Sequence, residues 1–173
     1  MISCVIHVSR PAEAEAIERL ADTLSALVEG VAAGLVSDAV IVASQANEAL
    51  DTIADGAGAT FLQRSPGASP WSAGAKAARR DWVLCLEAGD IPSEGWIRHL
   101  DRFVGTARPE VSLGRLRRPH AGLPSRIRAR GERVVGVRRA RAGDLVRRER
   151  LAGGNAFHPR LHPRMLLARL DRA

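Results

Sequence analysis

Two carboxylates, Glu87 and Asp90, stand at the end of an apolar run within WSAGAKAARRDWVLCLEAGDIPSEGW, residues 71–96. The pattern predicts a small-residue helix over 72–80, then Asp81, then a strand over 82–86. That strand hands Glu87 and Asp90 to its C-terminal end, and Pro92 is expected to stop pairing beyond it. Ligands of open α/β sheets bind at the carboxyl ends of the strands. Two acids placed there suit a divalent cation, Mg²⁺ or Mn²⁺, and the diphosphate it carries. The plainer alternative is a loop with two solvated acids.

Other residues with chemical potential are sparse. The sequence has no phosphate-binding G-x-x-x-x-G-K-[ST] loop, no G-x-G-x-x-G turn and no H-E-x-x-H or C-x-x-C pair. His7 lies in the first apolar run, where a satisfied core histidine is expected, and His99 and His120 show no partner. In HPRLHP, His158 and His162 are four apart, but Pro159 and Pro163 oppose a regular helix through both. Cys4 and Cys85 read as small buried hydrophobes of a reducing compartment, with no spacing that argues for a disulfide. Trp71, Trp82 and Trp96 flank the acidic strand end as core anchors or, for one beside Glu87, as a platform for a sugar face.

The elements that position Glu87 and Asp90 follow from periodicity. Residues 2–8 are a β-branched apolar run and a buried strand. Ser9, Arg10 and Pro11 open a helix in which Ile17, Leu20, Ala21, Leu24, Leu27 and Val28 recur at helical spacing, and Gly30 ends it. A connector over 31–37 leads to a strand over 39–42, a helix over 47–54, a short strand over 59–62 and a loop over 65–70. Beyond the acidic corner, Ser93 is expected to cap a helix carrying Trp96, Ile97, Leu100 and Phe103. This order demands a mostly parallel sheet flanked by helices on both faces. After Gly105 the pattern decays. Strands are expected over 111–116 and 134–137, and a mobile loop over 117–130. A helix is expected to start within 145–151, closed by Gly153 and Gly154, and a last helix to span 165–170.

At 173 residues and 46% hydrophobic content, the chain suits one domain with a real core. No apolar run approaches the ~20 residues of a membrane span, and MISCVIHVSR lacks the basic start of a signal peptide. The expectation is a cytoplasmic protein, peripheral to the inner face of a membrane. The net charge of +7 is unevenly divided: residues 1–104 hold 8 basic against 14 acidic side chains, and residues 105–173 hold 18 arginines against 5 acids. A cationic segment over 115–150 suits an anionic membrane surface or polyphosphates. Nucleic acid is a poorer fit, because Phe157 is the only aromatic residue after Phe103.

The order of these elements and their local words resemble glycosyltransferase family 2, whose members have the GT-A, nucleotide-diphospho-sugar transferase fold. ISCVIHVSRPAEAEAIERLADTL is similar to the family's opening strand and helix, and DAVIVASQANEALDTIADGAGA to its second strand, turn and helix. SAGAKAARRDWVLCLEAGDIPSEGW resembles its Gly-containing helix and acidic strand end, and DLVRRERLAGG its later basic segment. The resemblance covers residues 2–103 and resumes at 143–154. It implies a nucleotide-sugar-binding-like core over 1–104, completed by the Arg-rich part 105–173. It also implies transfer of a sugar from a nucleotide-diphosphate donor to an acceptor. Glu87 and Asp90 would hold Mg²⁺ or Mn²⁺ with the donor, and Ser9 and Glu48 would lie near the nucleotide.

Three departures stand beside it. Ala43 occupies the place of an Asp that contacts the nucleotide base, and a methyl group accepts no hydrogen bond. The family's Asp-x-Asp metal motif aligns with Glu87-Ala88-Gly89, and Asp90 is one residue out of register. No carboxylate lies between Gly154 and Leu170, where inverting members carry their base, and this leaves His158 and His162 to serve. Arg160, Arg164 and the other late arginines are an alternative counter-charge for a departing diphosphate. These departures equally suit a catalytically inactive GT-A protein, or a basic adaptor that works through its surface.

Overall fold

The computed structural model describes residues 1–118, 132 and 135–173. Along the chain, β1 (Ile2–Val8), α1 (Ala16–Ala32), β2 (Val36–Ala43), α2 (Glu48–Gly56), β3 (Thr60–Gln63), α3 (Pro70–Ala77) and β4 (Trp82–Glu87) alternate regularly. β5 (Asp90–Pro92), α4 (Trp96–Thr106), β6 (Leu113–Arg117), β7 (Asp144–Arg147), α5 (Arg148–Ala152) and β8 (Arg164–Arg172) follow. The eight strands join in one sheet, in the order β3-β2-β1-β4-β7-β6-β8-β5. β1 pairs in parallel with β2 and β4, β2 with β3, and β6 with β8. β7 runs antiparallel to β4 and β6, and β5 antiparallel to β8.

Strand alternation divides the interior into two cores. Ile2, Cys4, Ile6 and Val8 of β1 face one side with Leu84 and Leu86, under Leu20 and Leu27 of α1, Leu50 of α2 and Trp96 and Leu100 of α4. Val5, Val83 and Cys85 face the other, under Trp71 and Ala75 of α3 and Leu151 of α5. Each buried Leu or Ile contributes about 1.5–3 kcal/mol. Cys4 and Cys85 therefore point into opposite layers, and burial pushes both thiols well above their ordinary range. The small residues of α3 have a packing cause: a Cβ at Gly74 would stand 2.4 Å from Val5 Cγ1, so the helix lies close on the sheet.

Several elements differ from the sequence expectation. α1 begins at Ala16, not near Pro11, and passes through Gly30. Gly30 faces Trp96, where a Cβ would meet the indole at 2.5 Å, and Gly34, with φ +73°, follows the helix end instead. Ile17, Ala21 and Val28 are exposed, while Thr23 and Gly30 take places on the buried face. Ser93 does not cap α4, whose N-cap is Gly95; its hydroxyl donates to Asp171 Oδ2 at 2.6 Å. Pro92 does not end pairing either, since it lies in β5, opposite Leu170 at the sheet's edge, where a missing N–H is tolerated. Residues 145–151 split into the end of β7 and the start of α5. The expected helix over 165–170 is part of strand β8, with Leu166, Ala168 and Leu170 buried and Leu167 exposed between them. Of the expected strand over 134–137, Val137 makes an isolated bridge to Leu161, and residue 134 lies outside the described residues. The expected loop over 117–130 also falls outside them, apart from Arg117, which ends β6, and Arg118.

The connection between β4 and β5 bends the sheet. Only Ala88 and Gly89 separate two strands that stand four places apart in it. Four flat strand spacings measure about 19 Å, while three Cα steps reach at most about 11 Å. The second half of the sheet therefore curls back, and β5 lies beneath the end of β4.

Candidate functional site

The parallel strands β1, β2, β3 and β4 end on one edge, with His7 opposite Glu87, Val8 opposite Ala43 and Ala43 opposite Gln63. The loops that follow them form the rim. Asn47 ties two of these loops together: its Oδ1 accepts from the Ala49 and Leu50 N–H groups at 3.0 and 3.1 Å, and its Nδ2 donates to Pro11 O at 2.9 Å. Ser9, just past β1, and Glu48, in the first turn of α2, are both exposed on this rim. Ala43 is fully buried in the core, and its side chain offers no polar group there.

Glu87 and Asp90 come together, but in different environments. Gly89 makes the tight turn between them at φ +93°, a backbone shape that side-chain-bearing residues rarely adopt. Its N–H donates to Thr23 Oγ1 and its carbonyl accepts from the Ala173 N–H, so the turn is clamped to α1 and to the chain after β8. Asp90 is 0% exposed. Its Oδ2 accepts the Glu87 N–H at 2.8 Å, and both oxygens accept from Arg118 Nη2 at 2.9 and 2.8 Å. Glu87 stays partly open, with Arg172 Nη1 3.2 Å from its Oε2. Arg10, bonded to Glu13 at 2.7 Å, is within electrostatic reach of Glu87 as well.

The expected acid pair is thus divided between a turn and a rim. Asp90 fixes the β4–β5 turn, while Glu87 alone faces outward. Among the described residues no group of three His, Cys, Asp or Glu surrounds a common point. As arranged, the corner offers a divalent cation one open carboxylate beside a guanidinium, and Gly89 adds no side-chain ligand.

His7 is not a satisfied core residue. Its ring meets Trp71 edge-on, with centroids 5.7 Å apart, and its buried Nε2 has no hydrogen-bond partner. Burial lowers its pKa, Glu87 pulls it upward and Arg64 pushes it further down. Arg64 donates its backbone N–H to Ala43 O at 2.9 Å and its Nη1 to Ala68 O at 3.0 Å, yet its buried Nε is also unpartnered. Arg64 had no signal in the sequence, and Arg118 and Arg172 belong to the Arg-rich part whose late arginines are the expected counter-charges, without either being singled out. His7 had one legible signal: it is the penultimate residue of the first strand, near its carboxyl end rather than its middle. His158 and His162 are both exposed, on either side of the Val137–Leu161 bridge.

No protein-family model matches the chain, and no curated protein matches its sequence. Solved structures do match. The crystal structure of glucosyl-3-phosphoglycerate synthase from Mycobacterium tuberculosis with phosphoglyceric acid superposes with a TM-score of 0.58 at 19% identity, covering 86% of this chain and 57% of that one. The same enzyme with Mn²⁺ and UDP-glucose gives 0.56 at 18% identity, covering 86% and 56%. A further mycobacterial protein gives 0.57 at 17%, covering 86% and 53%. Other structures of the synthase hold Mg²⁺ and UDP, or Mn²⁺, UDP and the glucosylated product. The chain thus spans little more than half the length of the structures it matches. At these identities the likeness concerns the fold: a mixed α/β, GT-A-like architecture, with a curled sheet flanked by helices.

Proposed function

We propose that the carboxyl edge of the sheet binds a nucleotide-diphosphate sugar and presents it for transfer to an acceptor hydroxyl, with guanidinium groups in place of a divalent cation. The carrying observation is the set of nitrogen groups at the corner: Arg172 on Glu87, with the unsatisfied His7 Nε2 and Arg64 Nε close by. A buried polar atom without a partner costs about 1–3 kcal/mol, and phosphate oxygens are the acceptors that arginine meets best. During transfer the bond between the sugar's anomeric carbon and the diphosphate oxygen breaks, the acceptor oxygen bonds that carbon, and negative charge grows on the leaving diphosphate. Guanidinium groups that turn from their carboxylates to the diphosphate stabilise that charge. Ser9 and Glu48, on the same rim, would lie beside the nucleotide.

The matched synthase structures hold UDP-glucose, which supports this class of donor. They also hold Mn²⁺ or Mg²⁺, which favours a second reading: Glu87 and Asp90 take up a cation once Asp90 releases Arg118. Calorimetric titration with UDP-glucose and other nucleotide sugars, in EDTA and with each metal, separates the two. Binding in EDTA that weakens about ten-fold in Arg172→Gln is the expected result. Binding that requires metal supports the second reading, and no heat at millimolar donor removes both.

A further inference from the structure

α1 carries two apolar stripes, and the core takes up one of them. Ala16, Leu20, Thr23, Leu27 and Gly30 are buried, at alternating steps of four and three residues. One residue further on, Ile17, Ala21, Leu24, Val28 and Val31 repeat the same steps. Leu24 is half-buried at the border of the core, while Ile17 is 39%, Val28 62% and Val31 57% exposed. These three are half of the six large exposed apolar side chains among the described residues, so the exposure is concentrated on one helix rather than scattered. A surface helix needs one apolar stripe toward its core. Steps of four and three are the spacing at which one helix presents a seam to another. From Ile17 to Val31 that seam runs about 21 Å.

The surroundings of the seam are acidic. Residues 20–63 hold six Asp and Glu and no Lys or Arg. Glu18, Asp22 and Glu29 of α1 are exposed, as are Asp51 and Asp55 of α2, the helix packed beside it. Among the described residues none of these five carboxylates meets a basic side chain. Arg19, the one base of α1, is held by Glu13 and Glu15; it stands two residues from both Ile17 and Ala21, and so on the far side of the helix. Seating a second copy of α1 on the seam, in either direction, sets carboxylates against carboxylates, and such like-charge contacts discriminate against that pairing. The negative surplus calls for a cationic occupant, and the seam for a helical one.

We infer that the outer stripe of α1 docks a basic amphipathic helix of another protein. Leucine- or valine-type residues of that helix lie against Ile17, Leu24, Val28 and Val31, and its Lys or Arg flanks lie over Glu18, Asp22 and Glu29. Apolar contact supplies the affinity, and the charges choose the partner and its direction. The face is built by α1 and its neighbour α2 and uses no residue of the donor rim.

The probe is a labelled synthetic helical peptide of about 15 residues, with leucine at steps of four and three and lysine elsewhere, titrated against the protein by fluorescence anisotropy. Its controls are the same composition in scrambled order and the same pattern with glutamate for lysine. Val28→Ser/Val31→Ser removes the seam, and Glu18→Gln/Asp22→Asn/Glu29→Gln removes the charge. All five side chains are exposed, and an unchanged melting temperature shows the fold intact. The expected result is binding that weakens about ten-fold in Val28→Ser/Val31→Ser, loses most of its salt dependence in the charge variant and is absent for the glutamate peptide. Scrambled peptide binding as tightly as the patterned one, or equal binding to native protein and Val28→Ser/Val31→Ser, overturns the seam. Equal binding of the lysine and glutamate peptides overturns the charge selection, and no binding of the patterned peptide overturns both. A concentration-dependent dimer in sedimentation velocity, dispersed by Val28→Ser/Val31→Ser, overturns the choice of occupant, because a second copy then covers the stripe.

Discussion

Two aspartates with no exposed surface, Asp144 and Asp90, are each held by an arginine, yet they do different work. Asp144 lies on β7 opposite Arg115 of β6, which donates to it at 2.6 and 3.0 Å and is itself only 3% exposed. Burial pushes the Asp144 carboxyl up, against the downward pull of Arg115. Glu132, which also meets the partly exposed Arg141, joins this buried pair at 2.5 Å from Arg115. Asp90 instead meets Arg118, whose side chain is 31% exposed, and its neighbour Glu87 meets Arg172, which is 51% exposed. The same ion chemistry closes the sheet in one place and leaves partly exposed guanidinium heads at the proposed binding edge in the other. A sealed pair gives its charges no freedom to turn toward a ligand, while a half-open pair does.

The sharpest break of this comparison is Asp144→Ala. Removing the carboxylate that takes two of the Arg115 hydrogen bonds, with Glu132 left as its remaining partner, is expected to cost about 3 kcal/mol in urea unfolding. Replacing Arg115 and Asp144 together by Met and Leu should recover most of it. A loss under 1 kcal/mol for the single change would mean that the cluster is not sealed. Asp90→Asn should cost less, about 1–3 kcal/mol, because Arg118 can turn to water while the Glu87 N–H keeps an acceptor. A loss equal to that of Asp144→Ala would erase the distinction.

The smallest effect concerns His7. Burial holds its pKa below the ordinary 6.5, so the unfolded chain takes up the proton first on acidification. Stability should therefore fall as pH drops from 6.5 through the folded value, and His7→Gln should flatten that slope. A phosphate beside Nε2 would favour the charged ring, so donor binding near pH 6 should draw in protons, read as a dependence of the binding enthalpy on buffer. Identical enthalpies in phosphate-free buffers of different ionisation heat would place the ligand away from His7.

The first half of the fold was legible because its central strands, β1 and β4, are buried on both faces. Residues 2–8 form a short apolar run rich in β-branched residues, and β1 has those limits. Along β8 the exposed Leu167 fills the gaps that would show a period of two, so the run resembles one face of a helix. At the site, the placement of Glu87 at a strand end followed from pattern alone. The fate of Asp90 did not, because its partner Arg118 lies 28 residues away and reaches it only through the curl of the sheet. Nor does a local pattern show that Arg172, 85 residues from Glu87, returns to the same corner.

A rim that holds a nucleotide diphosphate through guanidinium groups, as proposed, needs no divalent cation. Calorimetric titration of UDP-glucose in EDTA, repeated after adding Mn²⁺, tests it most directly. Metal-independent binding gives a measurable dissociation constant in EDTA that changes less than three-fold with Mn²⁺. Heat that appears only once Mn²⁺ is present would contradict it.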